Sequence, residues 1–326
     1  MAGLKWLITG GCGFIGANVV RLLLKEGGHA VRIIDNLSTG ARETLLEVVS
    51  LTQTALRNAG TEWREGVELT VGDIADASLA DEAVLGADIV LHLAANTGVQ
   101  QSIADPIADC KANVIGTLNY LEAARKQGVR RVLTASSAAV GGQGSTDWPS
   151  SPYGAGKLAG EAYCSVYRKA FGLLAIPLRF GNVYGPYSDK KSSVVAKFIG
   201  QILNGEPIAV HGDGLQRRKF IHASDVARAI RLAAALNDAP ERVLAIAGPA
   251  AVNVNDLVEV LRRHFAARGI LVAVRTTPAR LGDCRDSTPD TTDAMAAMDW
   301  RPETDLEAGL DDTIAWFVNR RRTRPS

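Results

Sequence analysis

Near the start of the chain stands the stretch Leu7-Ile8-Thr9-Gly10-Gly11-Cys12-Gly13-Phe14-Ile15-Gly16. An apolar run of strand length leads directly into glycines spaced G-x-x-G-x-x-G, and apolar residues at helical spacing follow them. This context predicts a strand, a tight phosphate-binding turn and a helix. Gly10 would allow the turn, Gly13 would let the backbone approach a pyrophosphate, and Gly16 would let the helix pack closely on the strand. The stretch therefore predicts the first βαβ unit of a dinucleotide-binding fold.

Apolar runs of strand length recur through the first half of the chain, with segments of helical period between them. Such alternation is typical of βαβ units that build a parallel sheet covered by helices on both faces. We therefore expect an α/β fold with a Rossmann-type doubly wound parallel sheet. The runs are residues 4–9, 30–34, 68–71, 89–93, 131–135 and 173–178.

The alternation loosens after Pro177. We predict a dinucleotide-binding Rossmann domain at residues 1–177 and, at residues 178–326, mainly a smaller C-terminal substrate-binding lobe, with some segments returning to the first domain. No linker rich in Pro, Gly or Ser separates the two parts, so we expect the lobe to lie against the sheet. The second part has loop-like stretches at 184–193 and 212–219 and helical segments at 224–236 and 255–268.

Composition limits the classes of partner. The chain has 326 residues, 47% of them hydrophobic, and 36 Lys and Arg against 35 Asp and Glu, so its net charge indicates neither nucleic acid nor an anionic membrane. No apolar run is long enough for a signal peptide or a membrane span. The cysteines form no C-x-x-C pair, so we expect free thiols, no metal site and a cytoplasmic location. They are Cys12, Cys110, Cys164 and Cys284.

Two carboxylates follow predicted strands. Asp35 ends the second strand, about twenty residues beyond the glycines, where a carboxylate can accept hydrogen bonds from an adenosine ribose. It would repel a 2′-phosphate, so NAD is expected rather than NADP. In Gly72-Asp73-Ile74, after the third strand, Asp73 is expected near the adenine edge.

A phenol and an ammonium are predicted on one helix face. Tyr153 and Lys157 are four residues apart in a helix that Ser151-Pro152 would begin. A lysine at this distance is expected to lower the pKa of the phenol and so to favour acid/base chemistry. Ser136-Ser137 closes a strand whose end faces the ligand crevice, so a hydroxyl there can hydrogen-bond a substrate oxygen beside the tyrosine.

These motifs together resemble the extended short-chain dehydrogenase/reductase family, and within it the nucleotide-sugar epimerases and dehydratases. The resemblance covers nearly the whole chain. The motifs that carry it are the glycine loop at 10–16, the DNLSTG segment at 35–40, Gly72-Asp73-Ile74, His92-Leu93-Ala94-Ala95, Ser136-Ser137, Tyr153 with Lys157, the RFGNVYGP segment at 179–186, Gly212-Asp213-Gly214 and Asp299-Trp300-Arg301-Pro302.

The resemblance implies an NAD-dependent 4-epimerase that works through a transient 4-keto sugar. Tyr153 would take the proton of the sugar 4-hydroxyl, Ser137 would hydrogen-bond the same oxygen, and Lys157 would hold the nicotinamide ribose. The residues it implies for NAD are Gly10, Gly13, Phe14, Ile15, Gly16, Asp35, Asn36, Ser38, Thr39, Gly40, Asp73, Ile74, Leu93, Ala94, Ala95, Thr97, Tyr153, Lys157, Phe180 and Val183.

The substrate implied by the resemblance is a nucleotide sugar, with a UDP-sugar favoured. Arginines suit bidentate contact with the diphosphate, an acidic residue would meet the nucleotide ribose, and a small residue would leave room for a 2-acetamido group. A 6-carboxylate could meet Lys190, Lys191 or the serines at 136 and 192. The resemblance places Asn182, Arg218 and Arg280 at the diphosphate, Asp283 at the ribose, His211 at the base and Ser287 at the 2-acetamido group. The other implied substrate residues are Ser137, Tyr153 and Val194.

Several departures from the family pattern leave alternatives open. Ala138-Ala139 stands where the 4,6-dehydratases carry an Asp-Glu pair, so dehydration is not expected. Val140-Gly141-Gly142 lacks the usual tyrosine, the loop after it is short, and Lys219 replaces a frequent aspartate. A UDP-glucuronate decarboxylase, a 4-keto reductase and a non-catalytic NAD(H)-binding protein remain alternatives.

The resemblance also implies a homodimer. Related enzymes pair two helices of each subunit into a four-helix bundle, and the corresponding segments here are 106–126 and 151–171. Apolar residues such as Leu118, Leu121 and Tyr163 could form the dimer contact or belong to the core.

Overall fold

The computed structural model describes residues 3–51, 56–58, 62–141, 148–279 and 285–323. Within these residues no helix combines the length and the apolar character that a bilayer span requires. The buried apolar side chains form three clusters, two of them on the faces of the main sheet and the third in the C-terminal part.

Fourteen strands lie in the described ranges, numbered in chain order. They are β1 (Lys5–Thr9), β2 (Ala30–Asp35), β3 (Leu56–Asn58), β4 (Gly66–Val71), β5 (Ile89–His92), β6 (Arg131–Ser137), β7 (Leu174–Phe180), β8 (Asn182–Tyr184), β9 (Ile208–His211), β10 (Arg217–His222), β11 (Leu244–Ile246), β12 (Ala251–Asn253), β13 (Val274–Thr277) and β14 (Asp286–Ser287).

Twelve α-helices lie in the same ranges. A π-helical segment (Lys111–Ile115) joins the fifth to the sixth, and a short 3-10 turn (Ala138–Val140) follows β6. The helices are α1 (Phe14–Glu26), α2 (Arg42–Leu51), α3 (Ala77–Ala83), α4 (Val99–Ala104), α5 (Pro106–Cys110), α6 (Gly116–Lys126), α7 (Pro152–Phe171), α8 (Val194–Leu203), α9 (Ala223–Ala233), α10 (Val254–Ala266), α11 (Thr292–Met298) and α12 (Leu306–Thr323).

The main sheet has eight strands in the order β11-β7-β6-β5-β1-β2-β4-β3, and every described pairing in it is parallel. The order β4-β2-β1-β5-β6-β7 is that of a Rossmann sheet, with the direction of winding reversed between β1 and β5. The predicted doubly wound α/β fold is confirmed. Ligands bind at such a reversal, outside the carboxyl ends of the strands.

Both faces of the sheet are covered. Side chains of α1, α2, α9 and α11 fill one face, and those of α3, α6 and α7 fill the other. Leu121 is fully buried in the second cluster and Leu118 packs against it, so both belong to the core. Of the three residues considered for a dimer contact, only Tyr163 is exposed, at 38%.

The C-terminal part has its own apolar cluster, built on α8, α10 and α12. It also returns to the main sheet, because β11 pairs with β7. The stretch 212–219 is not entirely loop, since β10 begins at Arg217. Charged residues open that strand, so its sequence lacks the apolar pattern of a strand start. The division near residue 177, which falls within β7, remains a prediction.

A buried ion pair fastens α7 to the sheet beneath the crevice. Glu161 of α7, 6% exposed, accepts hydrogen bonds from Arg179 Nε at 2.9 Å and Nη2 at 2.6 Å. Ser136 Oγ of β6 donates to the same carboxylate at 2.5 Å. One carboxylate therefore connects β6, α7 and β7, and it fixes the register between the helix and the two strands.

Arg179→Met should lower the free energy of unfolding by about 3 kcal/mol, because a buried carboxylate loses its counter-charge. Arg179 is 31% exposed, so water can reach the site and the loss lies at the low end for such pairs. Arg125→Met, which breaks the exposed pair with Glu122, is the control and should cost at most about 1 kcal/mol. Urea unfolding measures both, and equal losses would contradict the interpretation.

Candidate active site

The glycine loop forms a cradle between β1 and α1. Gly10 has φ of +72°, and a Cβ there would lie 2.7 Å from the backbone nitrogen of Ala94, which follows β5. A Cβ on Gly16 would lie 2.4 Å from the carbonyl oxygen of Gly10. The helix begins at Phe14 with no side-chain cap, so its first N–H groups are available to an anion. The loop therefore fits a dinucleotide pyrophosphate.

Asp35 stands beside this loop at the end of β2. Its carboxylate accepts hydrogen bonds from the backbone N–H of Cys12 at 3.0 Å and of Leu37 at 2.9 Å. Burial raises the pKa of Asp35, and the two hydrogen bonds oppose that rise. Asn36 donates to Asp73 at 2.8 Å, which brings the second carboxylate to the same end of the site. This acidic end suits ribose hydroxyls and disfavours a 2′-phosphate.

One cavity of about 340 Å³ runs from the acidic end along the carboxyl ends of the strands. All twenty residues predicted for the cofactor line it, and so do Ser137 and Asn182. Sequence reasoning missed Asn96, Ala112 and Ser193, which also line it. Asn96 lies between two predicted positions, whereas Ala112 reaches the cavity from the π-helical segment, which no sequence pattern indicates.

The three predicted catalytic residues meet at one wall of the cavity. Ser137 ends β6, while Tyr153 and Lys157 lie in the first turns of α7. Ser151 caps that helix by accepting a hydrogen bond from the backbone N–H of Gly154 at 3.2 Å, which confirms the predicted helix start. The Tyr153 hydroxyl hydrogen-bonds Ser137, and Lys157 Nζ lies 6.0 Å from the centre of the Tyr153 ring.

Burial governs the acid/base properties of this wall. It lowers the pKa of Lys157 to about 8, a fall that Asp109 opposes and Lys191 reinforces. It raises the pKa of Tyr153, while the hydrogen bond with Ser137 lowers it and Asp109 raises it further. The expectation that Lys157 holds the phenol pKa below its ordinary value is wrong, because the loss of hydration on burial raises the pKa of Tyr153.

His92, at the end of β5, has a structural environment. It is 2% exposed, its Nδ1 lies 2.9 Å from Thr9 Oγ1, and its ring stacks on Tyr120 at 5.2 Å. Burial and the nearby charge of Lys157 lower the pKa of His92 to about 3, so it is neutral at physiological pH. Across the described ranges no three His, Cys, Asp or Glu side chains converge as metal ligands.

The predicted substrate residues are divided between the cavity and the strands beyond it. Val194 begins α8 directly after Ser193, a residue of the cavity wall. Arg218 of β10 pairs in register with Ser287 of β14, and neither lines the cavity. His211 ends β9, also outside it, with Nδ1 2.7 Å from Thr277 Oγ1. Arg280 and Asp283 lie outside the described residues.

Comparison with known proteins agrees with this geometry. A family model described as the NAD-dependent epimerase/dehydratase family matches residues 6–247. A UDP-glucose 4-epimerase of Mycolicibacterium smegmatis is 34% identical over 334 residues, which cover 97% of this chain and 99% of that protein.

Solved structures are similar along the whole chain. The UDP-N-acetylglucosamine 4-epimerase of Methanobrevibacter ruminantium, in complex with UDP-N-acetylmuramic acid, superimposes with a TM-score of 0.86 at 30% identity, covering 98% of this chain and 100% of that one. A UDP-glucose 4-epimerase of Thermus thermophilus, in complex with NAD, has a TM-score of 0.81 at 30% identity and covers 97% and 99%.

Asp35→Ala should weaken NAD binding roughly tenfold or more, because a charge-assisted hydrogen bond to the ribose is lost. The preference for NAD over NADP should shrink as well, since the repulsion of a 2′-phosphate disappears. Calorimetric titration of nucleotide-free protein measures both constants. Asp76→Ala, which removes an exposed carboxylate that caps α3, is the control and should bind NAD as the wild type does. An unchanged preference in Asp35→Ala would contradict the assignment.

Proposed function

The chain belongs to the NAD-dependent epimerase/dehydratase family, and we propose that it is a 4-epimerase of UDP-sugars. Its cofactor is NAD. The observation that carries the proposal is the catalytic wall. There Ser137, Tyr153 and Lys157 meet at the cavity, and the turn that follows Ser137 offers only Ala138 and Ala139.

Each residue of the wall has a task that its position suits. Bound in this cavity, NAD would supply reversible hydride transfer at C4 of the sugar. The phenolate of Tyr153 takes the proton of the 4-hydroxyl as that carbon is oxidised and gives it back on reduction. Ser137 donates to the same oxygen, and Lys157 provides the positive charge that stabilises the phenolate. Inversion at C4 would follow if the 4-keto sugar presented its opposite face before it was reduced again.

The same wall distinguishes epimerisation from dehydration. Elimination of water across C5 and C6 needs an acid and a base near those carbons. The methyl side chains of Ala138 and Ala139 can neither donate nor accept a proton, and the backbone N–H of Ala139 already donates to Ser137 Oγ at 3.2 Å. A 4-keto reductase would consume NADH at each turnover, and a decarboxylase would release carbon dioxide, so the products separate these alternatives.

The substrate side of the proposal rests on the second lobe. Asn182 lines the cavity next to the catalytic wall, a position suited to the sugar diphosphate. We assign Arg218 and Arg280 to the diphosphate, Asp283 to the ribose, His211 to the base and Ser287 to the room around C2 of the sugar. Candidate sugars are hexoses, N-acetylhexosamines and hexuronates.

Incubation with UDP-glucose, UDP-N-acetylglucosamine and UDP-glucuronic acid, each without added cofactor, tests the proposal. We expect the C4-inverted product from at least one of them, resolved by anion-exchange chromatography and proton NMR. Tyr153→Phe should lower kcat by about 10²- to 10⁴-fold, because the proton acceptor is lost while the cofactor contacts remain.

Tyr163→Phe, on the same helix but exposed, is the matched control and should retain activity. Product from none of the three sugars, with or without added NAD, would overturn the epimerase proposal. Activity that survives in Tyr153→Phe would overturn the assignment of the base. A loss of NAD binding in that variant would indicate damage to the fold rather than to the chemistry.

We also infer that the enzyme is a cytoplasmic homodimer. The thiols of Cys12, Cys110 and Cys164 are free, as is usual in a reducing compartment. Support for the dimer comes from the helices α5 to α7, where large apolar side chains remain exposed. They are Ile107 (67%), Ile115 (45%), Tyr163 (38%), Val166 (50%) and Phe171 (51%).

Ile107→Glu combined with Val166→Glu should convert a dimer into monomers, because two charges would have to be buried in each half of the contact. Sedimentation velocity measures the change. Leu271→Glu replaces a residue that is 94% exposed outside these helices, and it should leave the wild-type state intact. A wild-type monomer, or a double variant that stays dimeric, would contradict this surface.

A further inference from the structure

Behind the catalytic wall lies a buried carboxylate to which the mechanism above gives no task. Asp109, in α5, is 1% exposed. Its Oδ1 accepts a hydrogen bond from Asn113 Nδ2 at 2.9 Å, and Asn113 is likewise 1% exposed. Asn113 lies in the π-helical segment that begins at Lys111, about one turn after Asp109. Such segments widen a helix locally and are frequent at functional sites.

This carboxylate packs directly against the catalytic helix. A Cβ added to Gly156 would lie 3.0 Å from Asn113 Cβ and 3.5 Å from Asp109 Oδ2. Gly156 immediately precedes Lys157, so the absence of a side chain there lets the carboxylate approach the first turns of α7. The contact joins α5 to the helix that bears both Tyr153 and Lys157.

The polar atoms at this contact are incompletely paired. In the described part of the chain, Asp109 Oδ2 and Asn113 Oδ1 are buried and accept no hydrogen bond. Within the same described ranges Lys157 Nζ donates a single hydrogen bond, to Ala135 O at 2.9 Å, although an ammonium has three protons to donate. Two buried acceptor atoms, one of Asp109 and one of Asn113, therefore lie at the contact with the helix that bears Lys157, and a buried carboxylate needs a compensating positive charge.

The charges around Lys157 make Asp109 its counter-charge. Lys191 faces it from the segment before α8 and disfavours the ammonium, while His92, from β5, is neutral. Tyr153, one turn earlier on α7, contributes a negative charge only when ionised. Asp109 favours the ammonium of Lys157 and disfavours the phenolate of Tyr153. Lys157 in turn lowers the pKa of Asp109, against the rise that burial causes.

We propose that Asp109 is a positioning residue that keeps Lys157 protonated and thereby sets the pH range in which Tyr153 exchanges protons with the sugar. Asn113 holds the carboxylate in place. This role rests on the proposed 4-epimerase function, because the reaction needs the phenolate and the ammonium at the same time. Asp109 acts through these two groups and touches neither cofactor nor substrate.

Asp109→Asn tests the role, because it removes the charge and keeps the shape. The ionisations of Tyr153 and Lys157 together set the two limbs of the pH profile of kcat. A negative charge raises the pKa of both groups, so its removal should move both limbs by about one pH unit toward acid. In the basic range kcat should fall by roughly tenfold, while near the acidic limb it should be retained or increased.

Asp105→Asn is the matched control, since Asp105 is exposed and lies one turn earlier on the same stretch of chain. It also removes one negative charge and should leave both limbs in place. If Asp109→Asn lowers kcat and the melting temperature without moving either limb, Asp109 is structural and the proposal is overturned. The proposal also fails if Asp105→Asn moves the limbs as far as Asp109→Asn does.

A second readout does not depend on sugar turnover. Ultraviolet difference titration of the NAD-loaded protein, with Tyr153→Phe as the blank, follows the ionisation of Tyr153 alone. We expect Asp109→Asn to lower that pKa, and an unchanged pKa would overturn the role of Asp109. If the wild type converts none of the sugars but this shift is present, the epimerase proposal fails and the coupling between Asp109 and the wall stands.

Discussion

The close approach of three backbone segments at the reversal between β1 and β5 is the constraint on which the site depends. Gly10 lies against the backbone of Ala94, just beyond β5, and Gly16 lies against the backbone of Gly10. Any side chain at either position would push the strands and α1 apart. This close packing of the glycine loop against β5 and α1 leaves the uncapped first turn of α1 facing the cavity. The Asp35 carboxylate, bonded to Cys12 N–H, ties the end of β2 to the same loop.

Charge is separated along the cavity that results. Asp35 and Asp73 make its adenosine end acidic, whereas Lys157 and Lys191 make the catalytic end basic. A dinucleotide with neutral hydroxyls at one end and its reacting ring at the other fits this gradient in one orientation. The basic end is costly to form, because burial penalises both ammonium groups. Asp109, buried behind the wall, offsets part of that penalty for Lys157.

The residues that the sequence predicts for the cofactor all line one cavity, because the determinants of their positions are local. The glycines, Asp35, and the pair Tyr153 and Lys157 each lie within a few residues of a strand end or a helix start, so pattern and spacing suffice. Asp109 could not be recognised in this way. In the sequence it is one polar residue in a short helix, and its burial follows from the π-helical segment and from Gly156 on another helix. The raised pKa of Tyr153 likewise follows from packing.

The substrate half is assembled from segments that are distant in sequence, and this explains why its strands escaped prediction. β10 lies between β12 and β14 and also pairs with β8, so Arg218 is placed by partners more than thirty residues away. Strands of two to four residues carry too little periodicity to be recognised. In this chain alanines stand at 138 and 139, directly after Ser137, and their side chains can act neither as an acid nor as a base.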